Sequence, residues 1–97
     1  MEIGKTYPLR SETAVVRTID NEAVVVSPED AVMHNLNEIG TIVWELADGL
    51  SNVETIANKI SDDFDMSAKE ILNDVGEFCL SMADRHIFSL LDSPLKQ

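Results

Sequence analysis

The sequence predicts an α+β domain in which a small three-stranded antiparallel sheet is followed by three helices. Three observations lead there. Two β-branched runs lie near the start with turn residues between them, the apolar spacing changes from about two to about 3.6 residues after Leu36, and two capping-box pairs precede amphipathic stretches. With 97 residues the chain has the length of one domain with one core, so residues 1–97 are read as a single unit, its core over 13–88 and its ends fraying.

The runs TAVVRTI at 13–19 and EAVVVS at 22–27 supply the first two strands, and Asp20-Asn21 between them suits a tight hairpin turn. Pro28-Glu29-Asp30 signals a second turn, after which AVMHNL at 31–36 is short enough for a third antiparallel strand. Helix one begins behind an N-cap at Asn37. Its apolar residues Ile39, Ile42, Val43 and Leu46 recur at helical spacing, and Gly49 stands where a C-cap glycine belongs. Ser51 with Glu54 opens helix two, whose stripe is Val53, Ile56, Ala57, Ile60 and Phe64. Ser67 with Glu70 opens helix three, with Ile71, Leu72, Val75, Phe78, Cys79 and Met82 facing inward as far as about Arg85. The tail IFSLLDSPLKQ adds at most a short extended segment.

Seven Lys and Arg against eighteen Asp and Glu leave a formal charge of -11, a field that repels phosphate and excludes nucleic acid as the favoured ligand. No apolar run is long enough for a membrane span, no signal peptide opens the chain, and one cysteine cannot form an intrachain disulfide; a cytoplasmic protein is the expectation. Catalytic and cofactor motifs are missing as well. No phosphate-binding glycine loop, H-E-x-x-H, C-x-x-C or G-x-S-x-G occurs, so no catalytic set, cofactor or metal site is assigned. His34 and His86 lie on different elements, Cys79 reads as a small buried hydrophobe, and Asp62-Asp63-Phe64-Asp65 lacks the ligand spacing of a calcium loop. If helices two and three formed a DNA-reading pair, helix three would present Lys69, Glu70, Asn73, Asp74, Glu77 and Asp84, a surface that repels phosphates.

Two residues of helix one need a reason. Gly40 costs about 1 kcal/mol relative to Ala inside a helix, tolerable where the missing side chain lets the backbone lie close to the sheet or to another helix. Trp44, one turn later, can cover that approach.

The same stretch carries a family resemblance. Leu36-Asn37, Gly40, Val43-Trp44, Leu46 and Asp48-Gly49 resemble the L-N-x-x-G-x-x-[IV]-W-x-L-x-D-G signature of the PqqD family, small peptide chaperones of peptide-derived natural product biosynthesis. Val53-Glu54-x-Ile56, Asp74-Val75-x-x-Phe78 and the AVVVS run are similar to further family stretches, so that the likeness covers residues 13–88. Two departures bear on which peptide is bound: Asp30 stands where the family often has Gly, and His34 where it often has an aromatic.

The resemblance implies a winged helix-turn-helix-like recognition element that binds the leader segment of a ribosomally made precursor peptide and presents it to a modifying enzyme, such as a radical-SAM enzyme or a peptidase. A leader can add as a fourth strand along the third, with helix three as the other wall of the groove. The candidate contacts are Val32, Met33, His34 and Asn35, chiefly through their backbone, with Leu72, Val75, Cys79 and Met82 as an apolar wall and Asp74 for a basic leader side chain. Each of the helix residues has ordinary core packing as its alternative. Rival readings are a winged-helix transcriptional regulator and a structural subunit of a larger enzyme. Since an open edge can pair with a copy of itself, monomer and weak homodimer both stand.

Overall fold

The hairpin expected from the two β-branched runs is present in a computed structural model that describes residues 2–20, 22–27 and 32–96. Strand β2, Val15–Ile19, runs antiparallel to β3, Glu22–Val26, with Val15 opposite Val26 and Ile19 opposite Glu22. Asp20 enters the turn at φ 52°, a left-handed position that Asp tolerates because its short side chain can bond the local backbone. Strand β4, Met33–Asn35, pairs antiparallel with the other side of β3, giving the order β2-β3-β4. Asn21 of the first turn, the turn expected at Pro28, Glu29 and Asp30, and Ala31 of the third strand lie outside the described residues.

Three helices follow: α1 over Glu38–Leu46, α2 over Val53–Phe64 and α3 over Ala68–Asp84. Asn37 caps α1 by accepting from the Gly40 N–H at 2.7 Å, and Ser67 caps α3 by accepting from the Glu70 N–H at 3.2 Å. Helix α2 is capped differently from the expectation. Asn52, not Ser51, accepts the Thr55 N–H at 2.8 Å, because Asn52 is the residue that stands immediately before Val53, the first helical position. Gly49 also serves another purpose. Helix α1 closes at Ala47, while Gly49, at φ 80°, donates its N–H to the Pro8 carbonyl at 2.9 Å and accepts the Leu95 N–H at 2.8 Å.

Pro8 belongs to an element the sequence conceals, and Leu95 follows the short extended segment expected in the tail. Strand β1, Tyr7–Arg10, pairs antiparallel with β5, Phe88–Leu91, to make a second, two-stranded sheet. The core therefore begins ahead of residue 13, where Thr6 and Pro8 are buried. Tyr-Pro-Leu-Arg has neither alternation nor length to announce a strand, and its partner is about 80 residues away in the chain.

The main core gathers Val25 from β3, Leu36, Val43 and Trp44 from α1 and its approach, Val53, Ile56 and Ile60 from α2, Ile71, Val75, Cys79 and Met82 from α3, and Ile87 and Phe88. On α1 the buried face holds Gly40, Thr41, Val43 and Trp44, while Ile39, Ile42 and Leu46 are only partly covered. Hydropathy overlooks this face since two of its members are small or polar. Thr41 is there because its hydroxyl accepts from the Ala23 N–H at 3.0 Å, tying α1 to the hairpin.

Gly40 answers the question its position raised. A Cβ built there would lie 3.2 Å from Phe78 Cε1 of α3 and 3.2 Å from Asn37 Oδ1, so α1 and α3 meet through the absent side chain. Trp44 covers the contact indirectly: Phe78 packs edge-on to Phe88 at 6.0 Å, and Phe88 stacks on Trp44 at 5.9 Å. Arg10 completes the chain, with Nη1 donating to the carbonyls of Trp44 at 2.7 Å and Glu45 at 2.9 Å and its guanidinium 5.9 Å from the Trp44 ring centre. It thus bonds two carbonyls at the C-terminal end of α1, of which that of Trp44 also accepts the Ala47 N–H, and offsets the negative end of that helix.

Two measurements follow from this packing. Gly40→Ala should lower the urea midpoint by the equivalent of about 1–2 kcal/mol despite Ala's better helix propensity, since Phe78 is pinned by Phe88 and cannot withdraw; an unchanged midpoint would mean that the ring can move. Burial pushes the Cys79 thiol up from 9.0 to about 12. The raised value favours the folded state below pH 9 and withdraws that stability as pH climbs from 9 toward 12. Native protein should accordingly leave Cys79 unmodified by a disulfide reagent at pH 8, with one thiol appearing on denaturation.

Candidate functional site

The site begins with the hydrogen-bond parity of β4. Leu36 donates its N–H to the Ala23 carbonyl at 2.8 Å and Ser27 donates to the Val32 carbonyl at 2.9 Å. Hydrogen-bonded pairs alternate along an antiparallel ladder, so His34, opposite Val25 and midway between those pairs, also spends its backbone groups on β3. Met33 and Asn35 therefore turn their N–H and C=O groups away from the sheet. Among the described residues no strand pairs with this outer edge, since the C-terminal segment is engaged with β1 and Gly49 instead.

Side chains follow the same alternation. His34 shares a face with the fully buried Val25 and is half-buried. Met33 stands on the opposite face, 67% exposed, in a row with Val26 and the exposed Val15. Val32 and Asn35 are exposed too.

Directly after β4 the chain enters a recess of about 150 Å³ between the first turns of α1 and the middle of α3, lined by Asn37, Ile39, Gly40, Val43, Asp74, Val75 and Phe78. Ile39, Val43, Val75 and Phe78 give it an apolar part, Asn37 and the exposed Asp74 a polar one, and exposed Glu38 follows Asn37 in the chain. A second hollow, about 570 Å³, lies on another side of α3, where Leu72, Gly76 and Leu80 meet Ile3.

The expected wall on α3 is thus divided. Asp74 and Val75 line the recess beside β4, whereas Leu72 belongs to the hollow under Ile3. Cys79 and Met82, 0% and 4% exposed, are core residues rather than part of any accessible wall. A helical stripe reports burial without saying against what, and α3 packs on α2, α1 and β5 around its circumference. Phe78, Ile39 and Gly40 were not among the expected contacts. Gly40 was the available signal: a glycine held inside a helix marks close approach, and that approach bounds the recess.

Among the described residues no three His, Cys, Asp or Glu side chains come together as a metal-holding group. Among the described residues no helix is long and apolar enough to cross a membrane. The exposed face of α3 carries Glu70, Asp74, Glu77 and Asp84, a poor match for a phosphate backbone.

Comparison with known proteins agrees with the geometry. Two solved structures share the fold. TbiB1, determined in complex with the TbiA(beta) leader peptide, superposes with a TM-score of 0.74 at 20% identity, over 84% of this chain and 94% of that one. The solution structure of the PqqD truncation of Methylobacterium extorquens PqqCD, described as a functional, stand-alone recognition element for ribosomally synthesised and post-translationally modified peptides, gives 0.70 at 21% identity, over 84% and 87%. No curated protein matches by sequence. The family model for coenzyme PQQ synthesis protein D (PqqD) matches residues 22–87, about two thirds of the chain and the whole stretch from β3 to the start of β5, and the chain belongs to the PqqD family.

Proposed function

We propose that this protein is a non-catalytic adaptor that binds the leader segment of a ribosomally synthesised precursor peptide and presents it to a separate modifying enzyme. The carrying observation is the outward-turned backbone of Met33 and Asn35, on an edge that no strand of the described chain occupies, next to the recess between α1 and α3. An extended peptide laid along that edge gains main-chain hydrogen bonds whatever its sequence, and its alternate side chains turn toward the recess, where selectivity arises. The leader peptide bound by the structurally similar TbiB1 supports the same reading.

The opposite edge is a weaker candidate. All five residues of β2 are exposed, so a strand added there would find no apolar floor for its side chains. Acidic charge around the recess favours a leader with basic residues beside its apolar ones, Asp74 being the carboxylate best placed to meet them. The same net charge of -11 opposes self-association, leaving monomer as the working state with a weak homodimer at high concentration. The modifying enzyme is a separate maturase, such as a radical-SAM enzyme or a peptidase, and the buried, reduced Cys79 suits action in the cytoplasm.

Titration with synthetic leader peptides encoded beside its own gene should give micromolar or tighter affinity at physiological salt, with duplex DNA bound no better than background. Indifference to those peptides together with salt-sensitive DNA binding would replace the adaptor with a regulator. Within the adaptor reading, Met33→Pro removes an outward donor and should weaken peptide binding at least about 10-fold, since hydrogen bonds and strand shape are both lost. Val16→Pro at the far edge, where the N–H also points outward, should leave affinity within about 2-fold. Equal affinity for both variants and the parent would rule out strand addition at β4.

A further inference from the structure

We infer that His34 is the specificity-determining residue of the β4 edge, reading a hydroxyl side chain, Ser or Thr, on the peptide residue laid directly across from it. The inference rests on the strand-addition reading above and concerns which peptide that edge accepts.

The observation is a hydrogen-bonding debt. His34 Nε2 is closed to solvent and has no hydrogen-bond partner, and it is the only such side-chain nitrogen or oxygen among the described residues. Elsewhere buried hydroxyls are engaged: Thr6 donates to the Ile3 carbonyl at 2.7 Å, and Thr41 receives the Ala23 N–H. Folded proteins leave few buried polar atoms unpaired, and those they do leave call for an explanation. This one stands on the central residue of β4, one of the two edge strands of the sheet and the one beside the recess.

Ladder parity then says what would meet it. A strand added antiparallel to β4 bonds to the outward groups of Met33 and Asn35, which puts the peptide residue opposite His34 in a non-hydrogen-bonded pair. In such pairs the Cα atoms approach to about 4.5 Å and the two side chains stand on the same face, here the core-facing one shared with Val25. The peptide side chain at that position is thus brought against the imidazole.

Chemistry narrows the class. A neutral imidazole nitrogen is a donor or an acceptor according to tautomer, and a hydroxyl can answer either because it both donates and accepts. A carboxylate only accepts and would approach a molecule of charge -11, while an ammonium only donates and would be desolvated beside a buried ring. An amide could pair as well, but Asn is disfavoured in strands, where Thr is favoured. An apolar residue would leave Nε2 as it is in the free protein.

A display library of random decapeptides, selected in parallel on the parent protein and on His34→Phe and His34→Leu, tests this. Peptides selected on the parent should be enriched in Ser or Thr at one aligned position, with apolar residues at spacing two. Both variants should select apolar residues at that same position. For a selected peptide, Ser/Thr→Ala should weaken binding to the parent about 10-fold and to His34→Phe less than about 2-fold, a coupling that general loss of fold would not produce. Enriched binders lacking the hydroxyl, or the same preference on all three proteins, would overturn the assignment of His34 alone. Failure of all three proteins, each folded by circular dichroism, to enrich any peptide would overturn strand addition at β4, and this inference with it.

Discussion

The close approach of α1 to α3 at Gly40 is the constraint on which the remaining architecture depends. Because no side chain intervenes, the Phe78 ring reaches the α1 backbone, and from Phe78 the aromatic series continues through Phe88 to Trp44. Each step joins a different element: α3, β5, then α1 again. Arg10 brings in β1 by capping the carbonyl end of the same helix. The terminal segments are therefore structural parts of the core, held by an aromatic cluster and an Arg cap, and their two-stranded sheet keeps the C-terminal segment away from β4.

That diversion bears directly on function. A three-stranded sheet has two margins of unsatisfied backbone groups, and natural proteins commonly cover such margins or discourage pairing there. Here β2 carries Arg17 and is exposed on both faces, whereas β4 is short, next to an apolar recess and flanked by acidic residues. The recess exists since Gly40 and Phe78 bring the two helices together at their surface while Asn37 and Asp74 leave its mouth polar. One packing feature thus stabilises the helices and shapes the floor on which a peptide's side chains can rest.

The acidic composition acts at longer range. Among the described residues the one ion pair shown is Lys5 with Glu2, an exposed contact of little energetic weight, so most carboxylates are solvated rather than paired. Their field keeps copies of the chain apart and favours peptides with basic residues, with a dependence on salt that a mainly main-chain and apolar contact would not show alone.

Local signals in the sequence determined the hairpin, the caps at Asn37 and Ser67, the presence and order of three helices, the acidic surface and, through the Leu36 to Gly49 signature, the family. Each of these is written within a few residues of itself, as spacing, capping chemistry or a motif. Only the tertiary structure decided the pairing of β1 with β5, since two undistinguished tetrapeptides become strands through each other across the length of the chain. It alone also set Asp74 on the recess, gave Val75 a place in that lining while burying it in the core with Cys79 and Met82, and put Leu72 under Ile3. Helical periodicity tells that a residue is covered; which neighbour covers it is set by how the helices cross, and that is a property of the packed whole.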